Sequence, residues 1–325
     1  MSETTPKFPN YDSVAFHARG GSAIVWKARQ ISLDREVAIK QLRPELCAGD
    51  DDVERFLAEA RALGKMSHPN IVRCIDAFHQ EGRFCFVMEF VERGTIADHV
   101  ANKGRLGERE CLAVASAVTS ALGHAWGKHN ALHCDIKPAN IMVASDNTLK
   151  ITDFGISQSL SQRLAGTLAL QPGGEYEIAI FGTPAYMAPE QVAGSQSLTP
   201  QCDMYSLGAT LYYCAGGWKL FHDLDDDAAM DAQLNGQSND LADFVPDVSF
   251  PFCAFVEKLL AKNPENRHAS WDDVAAEIAD VAAGRYGESL AFAAPGTIVR
   301  SARRPPPPPP PKQSLMSRIA SRLKG

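Results

Sequence analysis

Two short segments hold side chains whose types and spacing could do chemistry. His133-Cys134-Asp135-Ile136-Lys137-Pro138-Ala139-Asn140 brings a carboxylate, an ammonium and a carboxamide close together, and Asp153-Phe154-Gly155 follows soon after. Phosphoryl transfer would use these types. A metal neutralises the γ-phosphate, the phosphate is held in line with a hydroxyl, and little covalent work is left to the protein. Any one of these residues alone would read equally well as a loop-capping polar group, so the argument rests on the set, in order and at this spacing. Upstream, Val37-Ala38-Ile39-Lys40 carries a lysine at the end of an apolar run, and Glu59 lies in a segment of helical periodicity.

The elements that must position these groups are legible in outline. Val14 to Leu42 reads as three short strands, with breaks at Gly20-Gly21 and at Leu33 to Arg35. Asp50 to Lys65 has the helical spacing Phe56, Leu57, Ala60, Leu63. IVRCIDAF and RFCFVMEFV add two more strands, which makes a small strand-rich lobe with one helix. Glu108 to Lys128 is the clearest helix of the second half. His133 to Gln191 is expected to be loop-rich, and helices resume near Pro200 and run to about Ala283. Strands followed by helices imply an α+β fold in two lobes.

The catalytic-loop and Asp-Phe-Gly segments resemble those of eukaryotic-type (Hanks-type) serine/threonine protein kinases, and the KPANIMV and GTPAYMAPEQ wording is similar to the bacterial members. The resemblance runs from about residue 14 to 283, with the small lobe about 14–91 and the large lobe about 92–283. It implies ATP with Mg2+, Mn2+ being an alternative, and the transfer of phosphate to protein serine or threonine. By the same resemblance Asp135 orients or deprotonates the substrate hydroxyl, and Lys137 stabilises the transferring phosphate. Lys40 reaches the α- and β-phosphates with Glu59 as its ion-pair partner. Asn140 and Asp153 hold metal. Leu63 packs toward Phe154. Ala18, Gly20, Gly21 and Ser22 form the phosphate-covering loop. Val25, Ala38, Met88 and Met142 enclose the adenine, beside the hinge backbone of Glu89 to Val91. Thr183 contacts Asp135 and Lys137, Glu190 pairs with Arg267, and Asp203 anchors the catalytic loop.

Two departures stand out against that pattern. Ala18 and Ala23 occupy glycine positions of the phosphate loop, where glycine lets backbone N–H groups approach phosphate. Weaker clamping of the nucleotide is expected. Cys134 stands where most members have an arginine that binds an activation-loop phosphate. A thiol cannot make bidentate contacts to phosphate, so activation is expected not to depend on phosphorylation of that loop.

The flanks differ in composition. Residues 1–13 read as an extension and 284–311 as a flexible linker that contains seven consecutive prolines, Pro305 to Pro311. Residues 312–325 form a basic tail with Leu315, Ile319 and Leu323 four residues apart. The proline run suits a stiff spacer or a proline-recognising partner, and the tail suits a disordered end or an amphipathic helix on an anionic membrane. Residues 296–325 carry seven Lys or Arg and no acid. Taking these from the net charge of −7 leaves the body at about −14, which disfavours nucleic acid as a partner. Eight scattered cysteines lack metal-ligand spacing. The polar start and the absence of a long apolar run point to a cytoplasmic protein, peripheral at a membrane if the tail docks there. Competing readings are a nucleotide-binding scaffold without catalysis, and a chain whose main function lies in the tail.

Overall fold

The computed structural model describes residues 5–20, 23–42, 60–80, 82–154, 183–195 and 197–284. Gly21, Ser22, Glu59, Gly155, the linker and the tail lie outside the described residues. The small lobe is a five-stranded antiparallel sheet of β1 (Tyr11–Arg19), β2 (Ala23–Gln30), β3 (Arg35–Leu42), β4 (Cys74–Gln80) and β5 (Arg83–Glu89), in the order β1-β2-β3-β5-β4. Side chains alternate across a strand, and the register sorts them cleanly. Trp26 lies opposite Ile39, Ala28 opposite Val37, and Ile39 opposite Val87. These residues, with Cys85, form one buried face, which Phe8 and Tyr11 cover from the N-terminal side. β1 therefore begins at Tyr11, earlier than the expected Val14, because these two aromatics have a face to bury. The other face carries Val25, Ala38, Lys40, Phe86 and Met88, with Val25 opposite Lys40, Lys40 opposite Phe86, and Ala38 opposite Met88. Residues 60–65 are helical, and Ala60 and Leu63 pack on this second face with Phe84 and Phe86.

Ile71 was expected to belong to the same strand as Cys74. It pairs instead with Ile151 across the lobes in an isolated parallel bridge. Val72 donates to the Ile151 carbonyl (2.8 Å), Ile151 donates to the Asn70 carbonyl (2.9 Å), and Lys150 pairs with Glu89 (2.9 Å). The chain leaving the helix thus ties the small sheet to the large lobe before it enters β4.

The large lobe is helical around one buried helix, Pro200–Gly216. Its residues are apolar on nearly all sides, as a helix at the centre of a core requires, and Tyr205, Leu207, Leu211 and Tyr212 are almost wholly inaccessible. Glu108–His129, Phe250–Leu259 and Trp271–Ala282 surround it. Their ends are marked by caps readable in the sequence: Thr95 with Asp98 at Ile96–Lys103, Ser270 with Asp273 at Trp271–Ala282, and left-handed Asn130 and Gly217 at two C-termini. The stretch expected to be mostly loop holds a small hairpin, β6 (Ile141–Val143) with β7 (Leu149–Ile151). Three-residue strands are too short to show a period. No described helix is long and apolar enough to cross a membrane. Seven cysteines are described, all free thiols, and all but Cys74 are buried.

Candidate active site

The β6–β7 hairpin is what brings the two chemical segments together. Ile141 pairs with Ile151, so Asn140, just before β6, and Thr152-Asp153, just after β7, meet at the open end. The Thr152 N–H donates to the Asn140 carbonyl (2.9 Å). Asp153 takes a left-handed φ of 68°, a conformation uncommon for a side chain larger than glycine's. Its carboxylate meets the Lys40 ammonium at 2.6 Å. Burial pushes the Asp153 carboxyl up, but Lys40, by charge and by hydrogen bond, outweighs it and holds the group below its usual value.

Asp135 is held by two donors that converge on one oxygen. The Lys137 ammonium donates to Oδ2 (2.7 Å), and so does Asn140 Nδ2 (3.1 Å), which also donates to the Asp135 carbonyl (2.8 Å). Lys137 then bridges to Thr183 Oγ1 (2.9 Å). Because Asn140 Nδ2 is committed to Asp135, the carboxamide oxygen is its remaining polar atom. A carboxylate and a carboxamide oxygen make a hard oxygen donor set suited to a small divalent cation, so the chemistry of Asp153 and Asn140 fits a metal site.

The loop carrying these groups is fixed from below. Both carboxylate oxygens of Asp203, on the central helix, accept backbone N–H groups, from His133 (2.8 Å) and Cys134 (2.7 Å). Burial raises the Asp203 carboxyl even so. Gln191 Nε2 donates to the Cys134 carbonyl (3.0 Å). The His133 ring Nδ1 accepts from the Asp135 N–H (3.2 Å), so Nε2 carries the proton to the Thr152 carbonyl (2.9 Å), and the ring edge meets Phe154. Neither the Gln191 tie nor the histidine relay was read from the sequence, where no spacing rule marks them.

The Cys134 and Cys202 thiols and an Asp203 oxygen lie within 4.8 Å of one another. With both Asp203 oxygens already taken by the loop, the cluster reads as packing. Arg267 and Glu190 pair as expected, at 2.6 and 3.0 Å. The guanidinium also donates to the carbonyls of Ala261, Gln201 and Lys262, so all five of its N–H groups are used.

Val25, Ala38 and Lys40 share one face of the small sheet with Met88, the residue before the end of β5, Val91 is buried just beyond, and Met142 lies on β6 in the large lobe. The Glu89 carboxylate points away, to Lys150 and the Arg73 N–H. Ala18 pairs with Val25, and the Gly20 N–H closes the turn on the Ala23 carbonyl (2.9 Å). Leu63 and Phe154 line one cavity together. Glu59, Gly21 and Ser22 lie outside the described residues.

The model of the protein kinase domain matches residues 17–278. The chain belongs to the protein kinase family. Among curated relatives of this chain are the serine/threonine-protein kinases PrkC of Bacillus subtilis (31% identical over 80% of this chain and 38% of the relative) and PknK of Mycobacterium tuberculosis (34%, over 83% and 23%). A probable serine/threonine-protein kinase PknB of Lactococcus lactis is 33% identical over 80% and 40%. The chain thus spans between about a quarter and two fifths of the length of these relatives. The crystal structure of the Mycobacterium tuberculosis PknI kinase domain superposes with a TM-score of 0.66 at 24% identity, covering 86% of this chain and all of that one. The two-lobed α+β architecture is that of a kinase domain. These relatives are named as serine/threonine-protein kinases of bacteria, and the protein kinase family to which the chain belongs works with ATP and a divalent metal.

Proposed function

We propose that this chain is an active serine/threonine protein kinase that transfers the γ-phosphate of ATP, with Mg2+ preferred over Mn2+, to hydroxyls of protein substrates. The observation that carries this reading is the Asp135 carboxylate. Lys137 and Asn140 converge on its Oδ2, which leaves Oδ1 to accept the proton of an attacking hydroxyl. Lys137, bridging Asp135 and Thr183, presents its charge where the phosphoryl group would pass. Asn140 and Asp153 would hold the cation, which supplies neutralisation of the phosphate charge when bound. Lys40 would exchange part of its bond with Asp153 for the α- and β-phosphates, with Glu59 as its further partner. Val25, Ala38, Met88, Val91 and Met142 would enclose the adenine against the backbone of Glu89 to Val91. Ala18, Gly20, Gly21 and Ser22 would cover the phosphates.

Phosphate incorporation from labelled ATP into a generic basic protein tests this, with Asp135→Asn as the control. Signal on serine or threonine that falls by at least about 10²-fold in the control is expected. ATP binding without transfer in either metal would overturn the reading in favour of a scaffold, the reading motivated by Ala18 and Ala23 in the phosphate loop and by Cys134. The proline run and basic tail are proposed to serve as a spacer and as a docking element for a proline-recognising partner or an anionic membrane. Liposome sedimentation with and without residues 312–325 tests the membrane arm, and equal sedimentation would sink it.

A further inference from the structure

Between the helices Glu108–His129 and Trp271–Ala282 runs a groove of about 410 Å³. The helices meet closely at Gly123, where an added Cβ would stand 3.3 Å from that of Trp271, and the groove lies beside that contact. Its two walls differ in chemistry. Thr119, Ser120 and His124 give one wall hydroxyls and an imidazole, whereas Trp271, Ala275 and Ile278 make the other mostly carbon. On the polar wall Thr119 Oγ1 and His124 Nε2 are buried and, among the described residues, have no hydrogen-bond partner. A buried polar atom left unpaired is costly, so this wall calls for a further partner. The wall itself is held in place, since the His124 ring lies against that of His68 (centroids 4.9 Å apart) and His68 Nε2 meets Ser120 Oγ at 3.3 Å.

An extended polypeptide suits both walls at once. Its unpaired backbone N–H and C=O groups can pair with the hydroxyls and the imidazole, while alternate side chains lie on the carbon wall. One such segment begins at the groove itself. Trp271–Ala282 is the last described helix, and the described residues end two positions later at Gly284, which takes a left-handed φ of 68°. A left-handed residue just past a helix C-terminus turns the chain off the helix axis. From Gly284 back to Trp271 the helix and its cap span about 20 Å at 1.5 Å per residue. Six extended residues at about 3.3 Å each cover the same distance, which brings Leu290 level with Trp271. The sequence reads Arg285-Tyr286-Gly287-Glu288-Ser289-Leu290-Ala291-Phe292. In an extended chain its even positions put Tyr286, Leu290 and Phe292 on one side, with Glu288 among them as an acceptor for hydroxyls, and Pro295-Gly296 ends the pattern.

We propose that this groove is the docking site of the chain's own residues 285–294, which return along it in extended form. Leu290 and Phe292 bury their surface against Trp271 and Ile278, and the backbone of the segment pairs with Thr119, Ser120 and His124. The linker expected over 284–311 then begins at Pro295, and the proline run starts from a fixed point on the large lobe. A second copy of the chain is the poorer occupant, because it would bring the same segment without the covalent tether that holds it near the groove at an effective concentration on the order of millimolar.

The test is photo-cross-linking of the full chain with p-benzoylphenylalanine in place of Ser116 or of Ala275, both exposed on the lining of the groove. Mass spectrometry should place the main adduct within residues 285–294 of the same chain, and a mixture of isotope-labelled and unlabelled chains should give no mixed adduct. Leu290→Asp combined with Phe292→Asp, checked for folding by thermal unfolding, should lower the adduct yield by about 10-fold or more, since two large apolar side chains leave the groove. Leu315→Asp, further along the tail, should leave the yield as it was. Adducts confined to residues 296–325 or to other parts of the chain, adducts between copies, or none from either probe position would overturn the proposal. So would a double variant that cross-links like the parent.

Discussion

Lys40 and Asp153 face each other across the cleft at 2.6 Å. Asp153 is held below the usual carboxylate value because the Lys40 charge overcomes the opposing effect of burial. The sign of its linkage follows. A carboxylate whose folded pKa lies below its unfolded value stabilises the fold above the unfolded pKa, and that stabilisation is lost as pH falls through the folded pKa. At neutral pH the contribution is fully present. Lys40→Met leaves burial without its counterweight, so the Asp153 carboxyl should titrate higher than in the parent. Carbon NMR of the labelled carboxyl checks the direction, and an unchanged or lower midpoint would contradict it. Phosphate transfer should fall by about 10²-fold or more, as when one charge-stabilising donor is removed from other active sites. Lys40, Asp135, Lys137, Asn140 and Asp153 were all expected at this site from the resemblance of their segments to those of the family. The convergence of Lys137 and Asn140 on one oxygen of Asp135 was not, because spacing along a chain says nothing of which atom is left over.

At the scale of elements, the central helix Pro200–Gly216 does two jobs that constrain each other. Asp203 near its start holds the catalytic loop by two backbone N–H groups, and the rest of it is the axis of the large-lobe core. Its distance from its neighbours is set by Gly208, where an added Cβ would come 2.8 Å from the Leu259 Cβ and 3.1 Å from the Leu260 Cγ. Gly208→Ala should therefore destabilise by about 1–3 kcal/mol through overpacking. A denaturant titration should show a lower midpoint at unchanged slope, and an unchanged midpoint would mean that the helices can slide apart freely. Gly217, at φ 83°, is bound more tightly still, since a Cβ there would run into the Gly104 carbonyl. The Glu190–Arg267 pair belongs to this scale too, because it fastens the segment after Thr183 to the start of the central helix, where Arg267 also donates to the Gln201 carbonyl. Helices of this length were legible from apolar spacing and caps. The β6–β7 hairpin was not, although it is the element that sets Asn140 beside Asp153.

Across the whole molecule, the two lobes are joined by hydrogen bonds between residues 70–72 and β7, so that Lys40 above and Asp153 below are held at a defined separation. The catalytic loop itself is anchored without any arginine at position 134. Cys134 is buried at a left-handed φ of 63° with its thiol beside Cys202, its N–H on Asp203 and its carbonyl on Gln191. Activation is accordingly proposed to run without a phosphate on the activation loop. The combined Ser157, Ser159, Ser161 and Thr167 to Ala variant should keep transfer to an added peptide within about 3-fold of the parent, and a loss of about 10-fold or more would reverse that proposal.

The sequence by itself determined the chemistry. Residue types at fixed spacings in the catalytic loop and at Asp153-Phe154-Gly155 specify which functional groups are present, and alternating and helical apolar patterns specify the two lobes around them, since both signals are local. Only the tertiary structure decided which groups meet. The cross-lobe bridge of Ile71, the cover of Phe8 and Tyr11 over the small sheet, and the hold of Asp203 on the catalytic loop each join residues far apart in the chain. Their meeting depends on how whole elements pack, and no local pattern encodes that.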